Sequence, residues 1–235
     1  MGLTKSGGDP VYSLDTQGSS MGKGRRIITK QAVSMSDAVP GSARRLAWLV
    51  GLLAAVLVLL SLTGESGREW LRYEREAVLQ GQYWRLLTGH LVHGSVQHLL
   101  LNGVGLGLIA ALFPREYSVP GWLLILGSSV ATIDLGFVLL EPQLQWYVGL
   151  SGVLHGALAA GALGWWRYES RRLALALTAV LVGKLAWEQW HGALPFSGDM
   201  PVVVDAHLYG AIGGALAGAF LWLRSRDWPR ARPSL

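Results

Sequence analysis

Residues 149–166 read GLSGVLHGALAAGALGWW, an apolar run that contains one serine, one histidine and many small residues. The small residues recur every four positions, at Gly152, Gly156 and Ala160. A second stretch repeats this spacing, at Gly210, Gly214 and Gly218. Small residues at that spacing let the backbones of two membrane helices approach closely. The two stretches therefore predict a pair of tightly packed membrane helices.

The composition agrees with a membrane protein. Of 235 residues, 51% are hydrophobic and 15% are charged, whereas soluble domains carry roughly a quarter charged residues. The eleven Trp residues suit the boundary between water and bilayer. Cysteine is absent, which excludes disulfides, thiol catalysis and Cys-ligated zinc. No cofactor or metal is expected.

The apolar runs are too long for the core helices of a soluble protein. They predict six spans, at about residues 46–63, 89–113, 119–140, 149–166, 173–190 and 202–223. The segment 65–88 mixes Arg and Glu with Trp and Tyr, which favours a helix lying in the interface. We predict an all-α membrane protein: a six-transmembrane-helix bundle with an interfacial first loop.

The Lys and Arg residues predict the orientation. Residues 1–42 form an expected disordered basic cytoplasmic tail, 43–225 the membrane domain, and 226–235 a cytoplasmic C-terminal tail. Arg residues flank the spans on that side, whereas loops 141–148 and 191–201 contain no Lys or Arg. By the positive-inside rule both termini are cytoplasmic, and only 64–88 departs from it. This distribution explains the pI of about 9.7 without a nucleic-acid partner.

Polar side chains inside the spans converge on one depth, near the outer face. They come from four spans: His93, His98 and Asn102; Ser151 and His155; Lys184 and Glu188; and His207. Polar groups in a bilayer are costly and mark functional sites by default. The alternative for each His alone is a hydrogen bond between helices. Their shared depth favours a site.

The polar layer contains the parts of a serine hydrolase. A serine hydroxyl needs a neighbouring base and donors for the developing oxyanion. His98 and Asn102 are four residues apart, so they share a helix face and suit the donor role. On the same helix His93 would lie roughly 140° from His98, which excludes a chelating pair. Both His155 and His207 remain candidates for the base.

One further pair of residues leaves alternatives open. Lys184 and Glu188 lie one turn apart in the fifth span. They form either an intramembrane ion pair that tethers this span, or a substrate-selecting site in which Glu188 faces the gap where substrate arrives. Asp134 is the only Asp well inside a span, so an aspartyl protease is disfavoured, and no His-Glu-x-x-His metalloprotease motif is present. We expect Asp134 to be a buried hydrogen-bonding residue.

Three motifs over about residues 46–223 resemble the rhomboid family of intramembrane serine proteases. They are WRLLTGHLVHGSVQHLLLN at 84–102, GLSGVLHG at 149–156 and AHLYG at 206–210. The resemblance implies that Ser151 is the nucleophile and His207 the general base, which resolves the choice against His155. It also implies an oxyanion hole formed by His98, Asn102 and the Ser151 N–H, with His93 and Gly149 in support.

The chain departs from common rhomboids in ways that resemble the rhombosortase branch. His155 stands where many rhomboids have a Tyr beneath the catalytic histidine, and GLSGVLHG is accompanied by KLAWE at 184–188. That branch is associated with removing C-terminal Gly-Gly-containing anchors from exported proteins of bacteria. The resemblance implies a Ser-His dyad enzyme of the bacterial inner membrane. The alternatives are a general rhomboid protease of single-span substrates, and a non-catalytic polytopic scaffold or transporter.

Overall fold

The computed structural model describes residues 40–169, 171–193 and 202–224. The predicted tails at 1–42 and 226–235 lie almost wholly outside these residues. Within them the protein is mostly helical. Its helices are α1 (Pro40–Ser61), α2 (Gly64–Leu71), α3 (Arg75–Leu79), α4 (Trp84–Thr88), α5 (Val96–Leu112), α6 (Val119–Leu140), α7 (Ser151–Tyr168), α8 (Arg171–His191) and α9 (Val204–Arg224). Two short strands, β1 (Tyr73–Glu74) and β2 (Trp146–Tyr147), pair antiparallel.

Among the described helices, three are long and apolar enough to cross a membrane. They lie at Ala43–Ser61, Val119–Leu140 and Val204–Arg224, and Val96–Leu112 is a shorter apolar helix. Large apolar side chains on several helices face outward, including Leu52, Leu59, Leu100, Leu135, Val180 and Leu216. Apolar surface on this scale is typical of contact with lipid, since a soluble monomer rarely exposes it. The protein is therefore a helical membrane protein.

The helix of the second predicted span begins later than expected. Ser95 is extended and its hydroxyl accepts the His98 N–H at 3.1 Å, so this serine caps α5 and the helix starts at Val96. Residues 89–95 form turns before the helix. The prediction that His93 and His98 share one helix was therefore wrong, and their rings lie 5.0 Å apart, edge to face.

The prediction of one helix over residues 65–88 was also wrong. The first loop consists of three short helices and strand β1. Gly81 has a φ of 98°, a conformation that ends helical structure and turns the chain between α3 and α4. Arg85 is 6% exposed and its Nη1 donates to the carbonyls of Glu69 and Arg72. These bonds to backbone fold the loop back on itself, which a continuous helix would prevent.

Helices α7 and α9 pack most extensively of all the helix pairs. A Cβ added to Gly210 would meet the carbonyl of Gly152, and one added to Gly214 would meet the carbonyl of Gly156. The two backbones therefore touch along the small residues identified in the sequence. Ser128 of α6 adds a hydrogen bond to the Gly213 carbonyl at 2.9 Å. This three-helix core fixes the start of α7 against the start of α9.

Candidate active site

Ser151 is the first residue of α7, and the chain before it is held from two sides. Gly149 has a φ of 121°, a conformation that favours glycine. Its N–H donates to the Gly89 carbonyl at 3.0 Å, and its own carbonyl accepts the Tyr147 hydroxyl at 2.6 Å. The β1–β2 ribbon ties the same segment to the first loop. These contacts fix the position of the serine.

His207 lies in the first turn of α9 and faces Ser151. Its Nε2 is 2.9 Å from the Ser151 Oγ, and its side chain is buried. The approach depends on Gly152, where an added Cβ would lie 2.7 Å from the Ala206 carbonyl. The small-residue spacing thus has a local consequence, because it brings a short serine side chain within hydrogen-bonding distance of a base on another helix.

His155, the rival base from the sequence, has a different position. Its Nδ1 is 2.7 Å from the carbonyl oxygen of Ser151, one turn back on the same helix. Its ring stacks on that of His207, with centroids 4.1 Å apart and an interplanar angle of 20°. Of the two histidines, His207 alone presents a ring nitrogen to the Ser151 hydroxyl within hydrogen-bonding distance. His155 instead supports the flat face of that ring.

The second nitrogen of His207 contacts a carboxylate. Nδ1 lies 2.9 Å from the Glu188 Oε2, and the other oxygen, Oε1, lies 2.7 Å from the Lys184 Nζ. Glu188 is 3% exposed, whereas the Lys184 side chain is 28% exposed. Four side chains from three helices thus form a continuous chain, in the order Lys184, Glu188, His207 and Ser151.

Two of the predicted oxyanion donors, His98 and Asn102, come from α5. His98 packs against Gly149, where an added Cβ would lie 2.7 Å from the His98 Nε2. Asn102 is buried, and its Nδ2 has no hydrogen-bond partner within the described residues. A buried amide N–H₂ without a partner is costly. This makes it available to a carbonyl oxygen that enters the site.

His93 is buried, and both its ring nitrogens lack a partner in the described part of the chain. Its ring meets that of His98 edge to face, with the centroids 5.0 Å apart. His93 therefore packs against one of the predicted oxyanion donors.

An apolar cavity of about 360 Å³ reaches the serine between α5 and α7. Asn102, Ser151 and His155 line its polar end. The remaining lining is mostly leucine: Leu101, Leu108, Leu112, Leu154 and Leu158, with Gly105 and Ile109. The site thus has an apolar side wide enough for large aliphatic groups and a polar end with a nucleophile.

The donor atoms of His155, Glu188 and His207 lie within 4.8 Å of one another, a spacing that a metal ion could use. The stacked imidazoles argue against such an ion, because nitrogen lone pairs point along the ring planes and parallel rings do not converge on one centre. In addition, both His207 nitrogens already face Ser151 and Glu188. The geometry suits hydrogen bonding better than metal ligation.

Asp134 lies outside this cluster. Its Oδ1 is 3.2 Å from the Nε2 of His90, a residue that is 1% exposed. The pair joins α6 to the loop before α5. Asp205 lies in the first turn of α9, two residues before His207.

Sequence reasoning missed one contact, that between Glu188 and His207. The sequence placed both residues at one depth, and it paired Glu188 only with Lys184. An acidic residue at the level of a histidine was the signal that could have suggested the contact. Whether the Glu188–His207 contact forms depends on the rotation of α8 about its axis, and hydropathy carries no information on that rotation.

Comparison with known proteins gives a family. The model of the "Rhomboid domain" matches residues 80–224, more than half of the chain. The protein YdcA of Bacillus subtilis (strain 168), named for the rhomboid proteases, is 24% identical over 183 residues, covering 77% of this chain and 89% of its own length. RHOMBOID-like protein 7 of Arabidopsis thaliana is 30% identical over 160 residues, 66% of this chain and 48% of the relative.

A third relative is the rhomboid protease GlpG of Salmonella newport (strain SL254). It is 26% identical over 184 residues, 74% of this chain and 62% of the relative. The chain therefore spans most of YdcA, but less than two thirds of GlpG and about half of the plant protein. The family match at residues 80–224 includes the residues from which the serine site is built.

Proposed function

Since the chain belongs to the rhomboid family of intramembrane serine proteases, we propose that Ser151 is its nucleophile and His207 its general base. The observation that carries this proposal is the 2.9 Å distance between the Ser151 Oγ and the His207 Nε2. The family favours the enzyme over the non-catalytic scaffold or transporter. The chemistry is the hydrolysis of a peptide bond.

The reaction follows from this pair. His207 Nε2 takes the hydroxyl proton as the Ser151 Oγ attacks the carbonyl carbon of the substrate. The imidazolium then gives that proton to the leaving amine as the C–N bond breaks, which leaves an acyl-enzyme on Ser151. Water attacks the ester, again with His207 as base, and regenerates the hydroxyl. His155, stacked on the ring, keeps His207 in the plane that this transfer needs.

The oxyanion that develops in the transition state needs hydrogen-bond donors beside Ser151. We assign this role to His98, to the Nδ2 of Asn102 and to the Ser151 N–H. The free Asn102 amide and the position of Ser151 at the start of α7 support this assignment, since a helix N-terminus favours negative charge. Such preorganised donors are often worth about 3–4 kcal/mol each in the transition state.

The substrate is a membrane-anchored protein cut near the outer face of the bacterial inner membrane. Helix α1 has Arg44 near its start and the first loop after its end, whereas α8 and α9 have Arg171 and Arg224 at one end and Glu188 and His207 near the other. That asymmetry supports six spans with both termini in the cytoplasm. The apolar cavity beside Ser151 is suited to the aliphatic side chains of an anchor.

Within the family we propose the rhombosortase activity, the removal of C-terminal Gly-Gly-containing anchors from exported proteins. Its support is the likeness of GLSGVLHG and KLAWE to that branch. The second candidate is a general rhomboid protease of single-span substrates. The relatives YdcA and GlpG, which carry rhomboid-protease names without mention of such anchors, favour this candidate.

Co-expression with two secreted reporters tests both proposals. One reporter carries a Gly-Gly-containing C-terminal anchor from the same genome, and the other carries the same anchor with both glycines changed to leucine. We expect release of the first reporter only, and none with the Ser151→Ala or His207→Ala protein at equal expression. Equal release of both reporters contradicts the rhombosortase proposal, and release by Ser151→Ala protein contradicts the serine mechanism.

A further inference from the structure

The Glu188 carboxylate divides its two oxygens between two partners. Oε2 faces the His207 Nδ1 at 2.9 Å, and Oε1 faces the Lys184 Nζ at 2.7 Å. Both Glu188 and His207 are buried. Lys184 and Glu188 lie on the same helix, so the ion pair between them cannot by itself join α8 to another helix. The contact that crosses between helices is the one to His207.

The Glu188 carboxylate is also not accessible to a substrate in the cavity. Glu188 is 3% exposed, and it does not line the apolar cavity that reaches Ser151. A side chain that selects an incoming segment has to reach that segment. Since both oxygens of Glu188 already face protein groups, substrate selection by this residue is disfavoured.

We infer that Glu188 is a positioning residue that holds His207 in the tautomer with its proton on Nδ1, and that Lys184 in turn orients Glu188. This inference rests on the proposed function of Ser151 and His207, and it extends their dyad to a chain of four groups. An ionised carboxylate only accepts hydrogen bonds, so the nitrogen that faces it must carry the proton. Nε2 is then unprotonated and able to accept the proton of Ser151.

Lys184 makes the consequence of one substitution specific. In Glu188→Gln the side chain has one oxygen and one N–H₂ group, and Lys184, which can only donate, requires the oxygen. The N–H₂ group is then left facing the His207 Nδ1, which must become an acceptor. The proton moves to Nε2, so His207 donates to Ser151 where it has to accept. The expected effect resembles the loss in serine proteases whose triad carboxylate becomes an amide, about 10³-fold or more in rate.

Removing Lys184 from that variant should reverse part of the loss. In the double variant Glu188→Gln with Lys184→Met, no cation competes for the amide oxygen, so the amide can rotate and accept the Nδ1–H of His207. We expect the double variant to react at least about tenfold faster than Glu188→Gln alone. A role in folding alone predicts the opposite order, because the double variant loses more native groups.

The rate is measured with a rhodamine-tagged fluorophosphonate on the full chain in detergent micelles. We expect the maximal inactivation rate to fall in Glu188→Gln while the half-saturating probe concentration stays constant. Glu141→Gln is the matched control, since Glu141 also accepts a hydrogen bond from α9, from the Tyr209 hydroxyl at 2.7 Å, without contacting His207. A double variant no faster than Glu188→Gln, or an equal loss in Glu141→Gln, overturns the inference.

The ¹⁵N NMR shifts of His207 provide a readout that needs neither a substrate nor a variant. We expect the wild-type ring to be protonated on Nδ1, and a proton on Nε2 in the neutral wild-type ring overturns the inference. The two proposals fail separately. A wild-type protein that the probe does not label at Ser151 contradicts the proposed function, while the tautomer still reports on Glu188.

Discussion

Gly149 shows how one residue sets the geometry of the candidate site. Its φ of 121° is a conformation that residues with a Cβ rarely adopt, and forcing such a residue there costs roughly 1–2 kcal/mol. An added Cβ would also lie 2.5 Å from the Cε1 of His98. The residue therefore meets two separate demands, the turn into α7 and the close approach of an imidazole.

Gly149→Ala should reduce cleavage of a reporter by at least about tenfold, because the new methyl group displaces His98 and shifts Ser151. Gly81→Ala is the matched control. Gly81 also has a positive φ, 98°, but a Cβ there meets nothing within 4 Å. Gly81→Ala carries the cost of the positive φ without the clash, so we expect a smaller loss of thermal stability from it, and a loss of activity from Gly149→Ala alone. Equal activity in the two variants would mean that contact with His98 is not required.

The roles of the two histidines near Ser151 illustrate the limit of sequence reasoning at the residue scale. Spacing alone left His155 and His207 as equal candidates, because a residue four positions away on a helix lies on the same face. The choice depends on where each ring nitrogen points. The His155 Nδ1 faces a carbonyl of its own helix, whereas the His207 Nε2 faces the serine hydroxyl across the helix boundary.

At the scale of elements, the contact between α7 and α9 is the feature that assembles the site. The glycines at that contact leave no room for a side chain, since a Cβ on Gly214 would meet the backbone of Gly156. Backbone atoms cannot move aside as the end of a flexible side chain can. Any separation of these helices also separates Ser151 from His207.

Gly214→Ala should therefore lower the free energy of unfolding by about 1–3 kcal/mol, the usual cost of overpacking, and should reduce activity. Thermal unfolding in detergent measures the first effect. Gly107→Ala is the control, because Gly107 lies in α5 with open space around its Cα, and alanine favours a helix. A melting temperature for Gly214→Ala equal to that of the wild type would contradict the close packing.

The ends of the elements were harder to predict than their existence. The apolar run at 89–113 predicted a helix, and the structure contains one from Val96 to Leu112. Apolar residues stand on both sides of Ser95, with Leu91 and Val92 before it and Val96 after it, so the apolar pattern did not reveal that this serine caps the helix. The prediction for the first loop failed for a related reason, because the fold of this loop depends on hydrogen bonds from Arg side chains to distant carbonyls.

At the scale of the whole molecule, those arginines account for the one exception to the charge rule. Arg75 donates to the Phe137 and Val138 carbonyls at 2.9 and 3.1 Å, at the C-terminal end of α6. A cation there satisfies free carbonyls and the helix dipole. Positive charge in the first loop is therefore used to hold the structure together, and it need not report on orientation.

The sequence predicted the membrane class and the helical bundle. Both depend on composition and on the length of apolar runs, which local sequence determines. The contact of Glu188 with His207 depends on how α8 and α9 are rotated and how far apart they lie. Such information resides in the packing of the whole bundle, so spacing within α8 could not provide it.

The most direct test of the central claim is the site of covalent modification in the full-length protein in its membrane. The account predicts that a fluorophosphonate adds to Ser151 alone, as seen by mass spectrometry of the digested protein. It predicts no adduct in His207→Ala protein, where the base is missing. An adduct on another residue, or one on Ser151 that forms equally fast without His207, would contradict the claim that His207 activates Ser151.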